Sequence, residues 1–161
     1  MAFDFRVDVT GFDGLLDRIK TLSDDFQAKA VRKAARKAMR IARDQARRNA
    51  RTIDDPNSTE EIWKNIVTRE SARGGRRVGG IVMRVGVMGG ARRYKGKKLT
   101  NTGLPGGDTR HWRHQEFGTR HHRAQIFMLP ALMNNAHRIS DRLANELVKE
   151  LDKHFVGPLP P

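Results

Sequence analysis

Four of the chain's six histidines, His111, His114, His121 and His122, fall close together around Glu116, a grouping that could in principle bind a metal. A protein metal site needs convergent ligands held by outer hydrogen bonds, and here no cysteine and a single nearby carboxylate would share the work. The grouping therefore reads as surface or partner-facing histidines, with no metal expected. Gly90 to Lys98, GARRYKGKK, has the glycine and lysine content of a phosphate-binding loop. Five residues rather than four separate Gly90 from Gly96, and no Ser or Thr follows the lysines to hold magnesium. No Gly-x-Ser-x-Gly occurs, and no carboxylate pair sits in an apolar setting that would drive its two pKa values apart. These residue types predict neither an enzyme nor a cofactor.

What remains chemically conspicuous is charge. The 161 residues hold 32 Lys and Arg against 18 Asp and Glu, a formal charge of +14, and residues 29–51 alone carry ten basic residues against Asp44. Lys29, Lys33, Arg36, Arg40, Arg43 and Arg47 recur at helical spacing and form a stripe. A second basic set, Arg92, Arg93, Lys95, Lys97 and Lys98, falls in a glycine-rich stretch. A solvated helix face is the ordinary meaning of such a stripe; contact with phosphate or with an acidic protein ring is the functional one. Like charges at this spacing cost about 0.2–0.5 kcal/mol per pair, so helix stability alone does not favour the stripe.

The elements that must position these residues can be read along the chain. Phe3, Phe5, Val7 and Val9 alternate with polar residues, which predicts a strand over 3–9, and a short amphipathic helix follows to about Leu22. Ser23 fits an N-cap, with Asp24 and Asp25 in the first turn of a long helix whose inward positions are mostly alanine. After the break at residues 52–58, Ser58 and Glu61 make a capping-box pattern for a helix through about Glu70. Gly74, Gly75, Gly79 and Gly80 punctuate a basic turn, and alternation from Ile81 to Val87 predicts a second strand. Residues 88–109 read as a long mobile basic loop, and 110–117 as a third strand. Leu132, Ala136, Ile139, Leu143, Leu147 and Leu151 give the last helix an apolar ridge that ends near Phe155.

This order of elements has no regular βαβ alternation. It predicts one α+β domain over residues 1–161, with a small antiparallel sheet packed by long N-terminal and C-terminal helices. The acidic, alternating start MAFDFRVDV is unlike a signal peptide, and no apolar run approaches the roughly 18 residues of a membrane span. No disulfide is possible, which fits a reducing assembly compartment.

One further stretch is architectural. Glu116, Phe117, Gly118 and Thr119 read as a strand end broken by glycine, and about ten residues on, Phe127, Pro130, Ala131 and Leu132 open a helix with proline in its first turn. This EFGT and Phe-x-x-Pro-Ala-Leu arrangement resembles the head-tail joining, or neck and tail-completion, proteins of long-tailed bacteriophages. The resemblance implies a structural virion protein, assembled in the bacterial host cytoplasm, that forms a ring between head connector and tail. It implies six-fold or twelve-fold self-association, with tail terminator, tail-tube and head connector proteins as partners and no membrane. The basic stripe would then face genomic DNA or acidic rings. Composition alone suggests an alternative, a sequence-independent nucleic-acid-binding module, although aromatics are not interleaved with the basic residues as a stacking platform requires.

Overall fold

In a computed structural model the chain is described at Lys20 and over residues 23–89 and 103–155. The expected strand over 3–9 lies outside these residues, as does the following helix except for Lys20, which is helical. Ser23 is extended and its carbonyl accepts the first helical hydrogen bond, from Gln27 at 3.0 Å, so α1 spans Asp24–Ala38 with both aspartates in its first turn. Ser23 Oγ makes no capping bond, which leaves the aspartates' attraction for the helix dipole as the local start signal. The single long helix expected from the sequence is interrupted at Met39, and α2 continues over Arg40–Thr52. Bonds from Met39 N to Ala35 O and from Arg43 N to Met39 O bridge the interruption, so the two helices form one nearly continuous rod.

Three local expectations change. The helix expected from Ser58 to Glu70 is instead a 3-10 turn, Ile62–Asn65, followed by strand β1, Ile66–Glu70. Ser58 Oγ donates to Glu60 O rather than accepting a helical N–H, so the capping box never closes. The β-branched run Ile66, Val67, Thr68 is better accommodated extended, where it pairs with another strand. The glycine-punctuated turn contains a short helix, α3, Ala72–Val78. Ser71 caps it by accepting from Gly74 N, and Gly79 ends it at φ 66°. Residues 110–117 are not a third strand: α4 spans Trp112–Phe117, started by Trp112 N to Thr109 O and His114 N to His111 O. WRHQEF lacks the alternation of a strand, and its helical turn brings the Trp112 and Phe117 rings to 6.4 Å.

Strand β2, Met83–Val87, pairs antiparallel with β1, with Ile66 opposite Val87, Thr68 opposite Val85 and Arg69 opposite Arg84. Two more helices follow, the short α5, Met128–Met133, and the long α6, Ala136–Phe155. The fold is α+β as expected, a small antiparallel sheet flanked by the long N-terminal and C-terminal helices.

The rod organises the core. Ala30, Ala34, Ala38, Ala42, Ala46 and Ala50 are all buried at strict four-residue steps. With 3.6 residues per turn, each step of four rotates the stripe by about 40°, so the stripe swings through about 200° along its length. One rod thereby meets different partners in sequence. Ala34 packs against Leu147 and Leu151 of α6, and Ala38 and Ala42 against Ile139. Ala46 and Ala50 join Ile62, Ile66, Phe127 and Ala131. Contacts that climb α1 descend α6, so these helices run antiparallel, and alanine on the rod lets leucine approach closely.

Candidate functional site

The two halves of the EFGT and Phe-x-x-Pro-Ala-Leu stretch meet through one side chain. Glu116, in α4 and only 4 % exposed, aims its carboxylate at the start of α5. Oε2 accepts from Phe127 N at 2.9 Å and Met128 N at 3.0 Å, and Oε1 accepts from Leu129 N at 3.1 Å. The next residue is Pro130, which has no N–H, so a distant carboxylate satisfies the donors that a local cap would take. Phe127 itself makes no side-chain cap and is fully buried. Asn49 of α2 donates to Phe127 O at 3.0 Å, which fixes the same peptide to the rod.

Gly118 completes the junction. Its backbone sits at φ 72° and ψ 179°, and a Cβ there would lie 2.8 Å from Ala124 N and 2.9 Å from His122 O. Both neighbours are backbone and cannot swing away, so glycine is required by conformation and by space. Thr119 then ties the turn: its N donates to His122 O, and its Oγ1 accepts from the N–H groups of His121 and His122. Gln125 N donates to Gln115 O at 2.7 Å and returns the chain to α4. Sequence reasoning found these residues and the glycine's role, but placed them at a strand end; they form a helix-to-helix corner.

The histidines do not converge. His111 is half-buried, and burial, outweighing nearby Asp108, pushes its imidazole pKa down. His114 and His122 line a depression of about 420 Å³ with Gln115, Thr119, Arg123 and Gln125, while His121 stands outside it. Among the described residues no group of three or more His, Cys, Asp or Glu is placed to hold a metal.

The basic stripe is divided among different tasks. Lys33 Nζ bonds Glu150 Oε2 at 2.7 Å, and Arg47 donates from Nε and Nη2 to Ile66 O at 3.0 and 2.8 Å. Arg43 pairs with neighbouring Asp44. Lys29, Arg36 and Arg40 are exposed. Lys37, off the stripe, bonds Glu146, a side chain 2 % exposed that Arg142 also approaches at 2.9 Å. That hydrogen bond raises the Lys37 pKa and lowers that of Glu146, and the bond from Lys33 lowers that of Glu150. Arg92, Arg93, Lys95, Lys97 and Lys98 lie outside the described residues.

Sequence reasoning missed a polar knot around Asn65. Its Nδ2 donates to Gly107 O and Thr109 Oγ1, its Oδ1 accepts from Gly106 N, and its own carbonyl accepts from Met88 N. Gly106 passes so near Glu61 O that a Cβ would lie 2.0 Å from it. Of the residues expected within the long loop, Gly106, Asp108 and Thr109 are buried at this knot, while Gly103 and Pro105 are exposed. Arg110 grips Asp108 through two bonds of 2.8 and 2.6 Å. The sequence signal was an uncharged polar residue, Asn65, set beside Lys64 between the apolar Ile62–Trp63 and Ile66–Val67.

Comparison with family models decides the assignment: residues 13–118 match HK97-gp10-like proteins, described as a tail component of bacteriophage HK97-gp10 type. The chain belongs to this family of phage tail components. The matched span ends at Gly118, so this tail component carries Glu116 inside the span and the helix start it caps beyond it. Neither the curated proteins nor the solved structures contain a match. As a phage tail component the protein is a structural part of the virion, and none of its described helices is long and apolar enough to cross a membrane.

Proposed function

We propose that this tail component acts in the neck, as a ring that completes the tail and joins it to the head connector. The family match carries this reading, and the packing is compatible with a subunit completed by its neighbours. Phe117, Ile126 and Met133, all close to the Glu116 junction in sequence, leave 44 %, 51 % and 50 % of their surface exposed. Exposed apolar side chains beside a rigid corner suit self-association or docking on a tail-tube or connector ring. Lys29, Arg36 and Arg40 supply a cationic face that, in a ring, would meet DNA in the channel or an acidic neighbouring ring. The junction serves as a rigid mount for the contact surface, and no covalent step is involved.

The test is solution mass by light scattering at low and high salt, alone and with a tail-tube or connector extract. A closed ring of defined number that resists salt, or a monomer that forms a ring when extract is added, is the expected result. A small species that changes only on addition of duplex DNA and reverts with salt would replace this reading with the nucleic-acid module. Reversing charge at Lys29, Arg36 and Arg40 together should leave melting unchanged and lower the yield of infectious particles; full infectivity would remove the cationic face from the mechanism.

A further inference from the structure

We infer that the β1–β2 hairpin, with α3 at its tip, is a docking surface for the phosphate backbone of duplex nucleic acid. The inference is independent of ring formation and of the helix face invoked above. Its starting point is register: Arg69 on β1 stands directly opposite Arg84 on β2, and both are exposed. Directly opposed like charges destabilise a strand pair, so the hairpin's own stability does not account for them. The opposite alternation holds the hairpin to the protein, since Ile66 is fully buried and Val85 and Val87 pack on the core. Arg69 and Arg84 therefore share the outward face with Val67 and Gly86.

The charge around this pair is one-sided. Residues 66–89 contain five arginines, Arg69, Arg73, Arg76, Arg77 and Arg84, and one acidic residue, Glu70. Glu70 lies on the inward alternation and is engaged by Arg32 at 3.1 Å. The face is also open: a Cβ at Gly86 would meet nothing within 4 Å, and Arg69, Arg84, Gly86 and Met88 border a shallow groove of about 210 Å³. Glycines at the tip and on β2 let a bulky polyanion approach the backbone closely.

Chemistry separates the candidate polyanions. A protein interface draws its affinity from buried aromatic or aliphatic anchors, and stacking on single strands needs aromatic rings. Residues 66–89 contain no Phe, Tyr or Trp, and Val78, an aliphatic side chain 62 % exposed at the tip, stands singly beside Arg76 and Arg77 rather than in an apolar cluster. Dispersed arginines without rings suit backbone phosphates, read for charge and spacing rather than sequence.

The experiment uses the full chain and fluorescence anisotropy of a labelled 20-base-pair duplex across a salt series, with an unlabelled acidic polypeptide, poly-glutamate, as competitor. Arg69→Gln with Arg84→Gln is compared with Lys149→Gln and Lys153→Gln on α6, two exposed lysines whose replacement removes equal charge elsewhere. The hairpin variant should weaken binding at least about tenfold and lower the salt slope by about 2, since each phosphate contact contributes about 0.9. The helix variant should change affinity about twofold or less. The hairpin variant's melting temperature should equal or exceed that of the parent, because the opposed charges are gone. Equal losses in the two variants would show that binding follows net charge and overturn the inference. So would a parent protein that ignores duplex at low salt, one whose duplex is displaced by equimolar poly-glutamate, or a hairpin variant that melts several degrees lower.

Discussion

The two ends of the α1–α2 rod are held by different physics. At the α1 end, alanines meet the leucines of α6, and the rim is fastened by Lys33 to Glu150 and Lys37 to Glu146, with both lysines reaching solvent. At the α2 end, alanines meet fully buried Ile66 and Phe127, and side chains bond backbone carbonyls: Arg47 to Ile66 O and Asn49 to Phe127 O. The first end joins two helices along their lengths. The second gathers residues near 47, 66, 116 and 127 at one point, so it determines which distant segments meet. Geometry tolerates little at the second end because backbone groups, unlike side-chain ends, cannot be re-aimed.

If this contrast is right, the largest loss comes from the α2 end. Phe127→Ala should cost about 3–5 kcal/mol, measured from the denaturant midpoint, because it opens a cavity where the rod, β1 and α5 converge. Gly118→Val should follow at about 3 kcal/mol, since strain in a glycine-only conformation is joined by contact with fixed backbone. Glu116→Gln keeps one acceptor oxygen but loses charge and its second acceptor, and should cost about 2 kcal/mol; an unchanged midpoint would mean that water caps α5 equally well. All three should unfold the chain as a whole.

The α1 end should respond to pH instead. Glu146 and Glu150 have lowered folded pKa values, so their contribution is complete above the ordinary glutamate value of 4.5 and is lost as pH falls through the lowered value. Lys37 has the opposite sign: its contribution is complete below 10.5 and is lost as pH rises through its raised value. Melting curves taken into acid should therefore fall more steeply for the parent than for Glu146→Gln with Glu150→Gln. Lys33→Ala, at a side chain 53 % exposed, should change stability by about 0.5 kcal/mol or less. A larger effect would erase the distinction between the ends.

The sequence disclosed what depends on periodicity and lost what depends on distant partners. The alanine rod and the ridge through Ile139, Leu147 and Leu151 were legible because each helix carries its own pattern. Gly118 was legible because only a special backbone angle explains glycine between EF and T. The helix expected after Ser58 failed because Glu61 N bonds Gly106 O, a partner far along the chain that no local pattern announces. Residues 110–117 failed for a related reason: local pattern puts Glu116 in a strand end, yet its role is set by three amides eleven to thirteen residues later. The basic stripe was correctly periodic, but periodicity cannot tell a solvent-facing arginine from Arg47, whose guanidinium completes β1.

Asn65 has a consequence for how this protein can change. Its backbone carbonyl holds Met88 N and its side chain holds Gly106 N, so one residue beside β1 ties the end of β2 to the packed residues 106–109. A substitution at residue 65 is therefore felt in two segments at once: a leucine there would leave Gly106 N and the Gly107 carbonyl without their partner while β2 still leans on the same backbone.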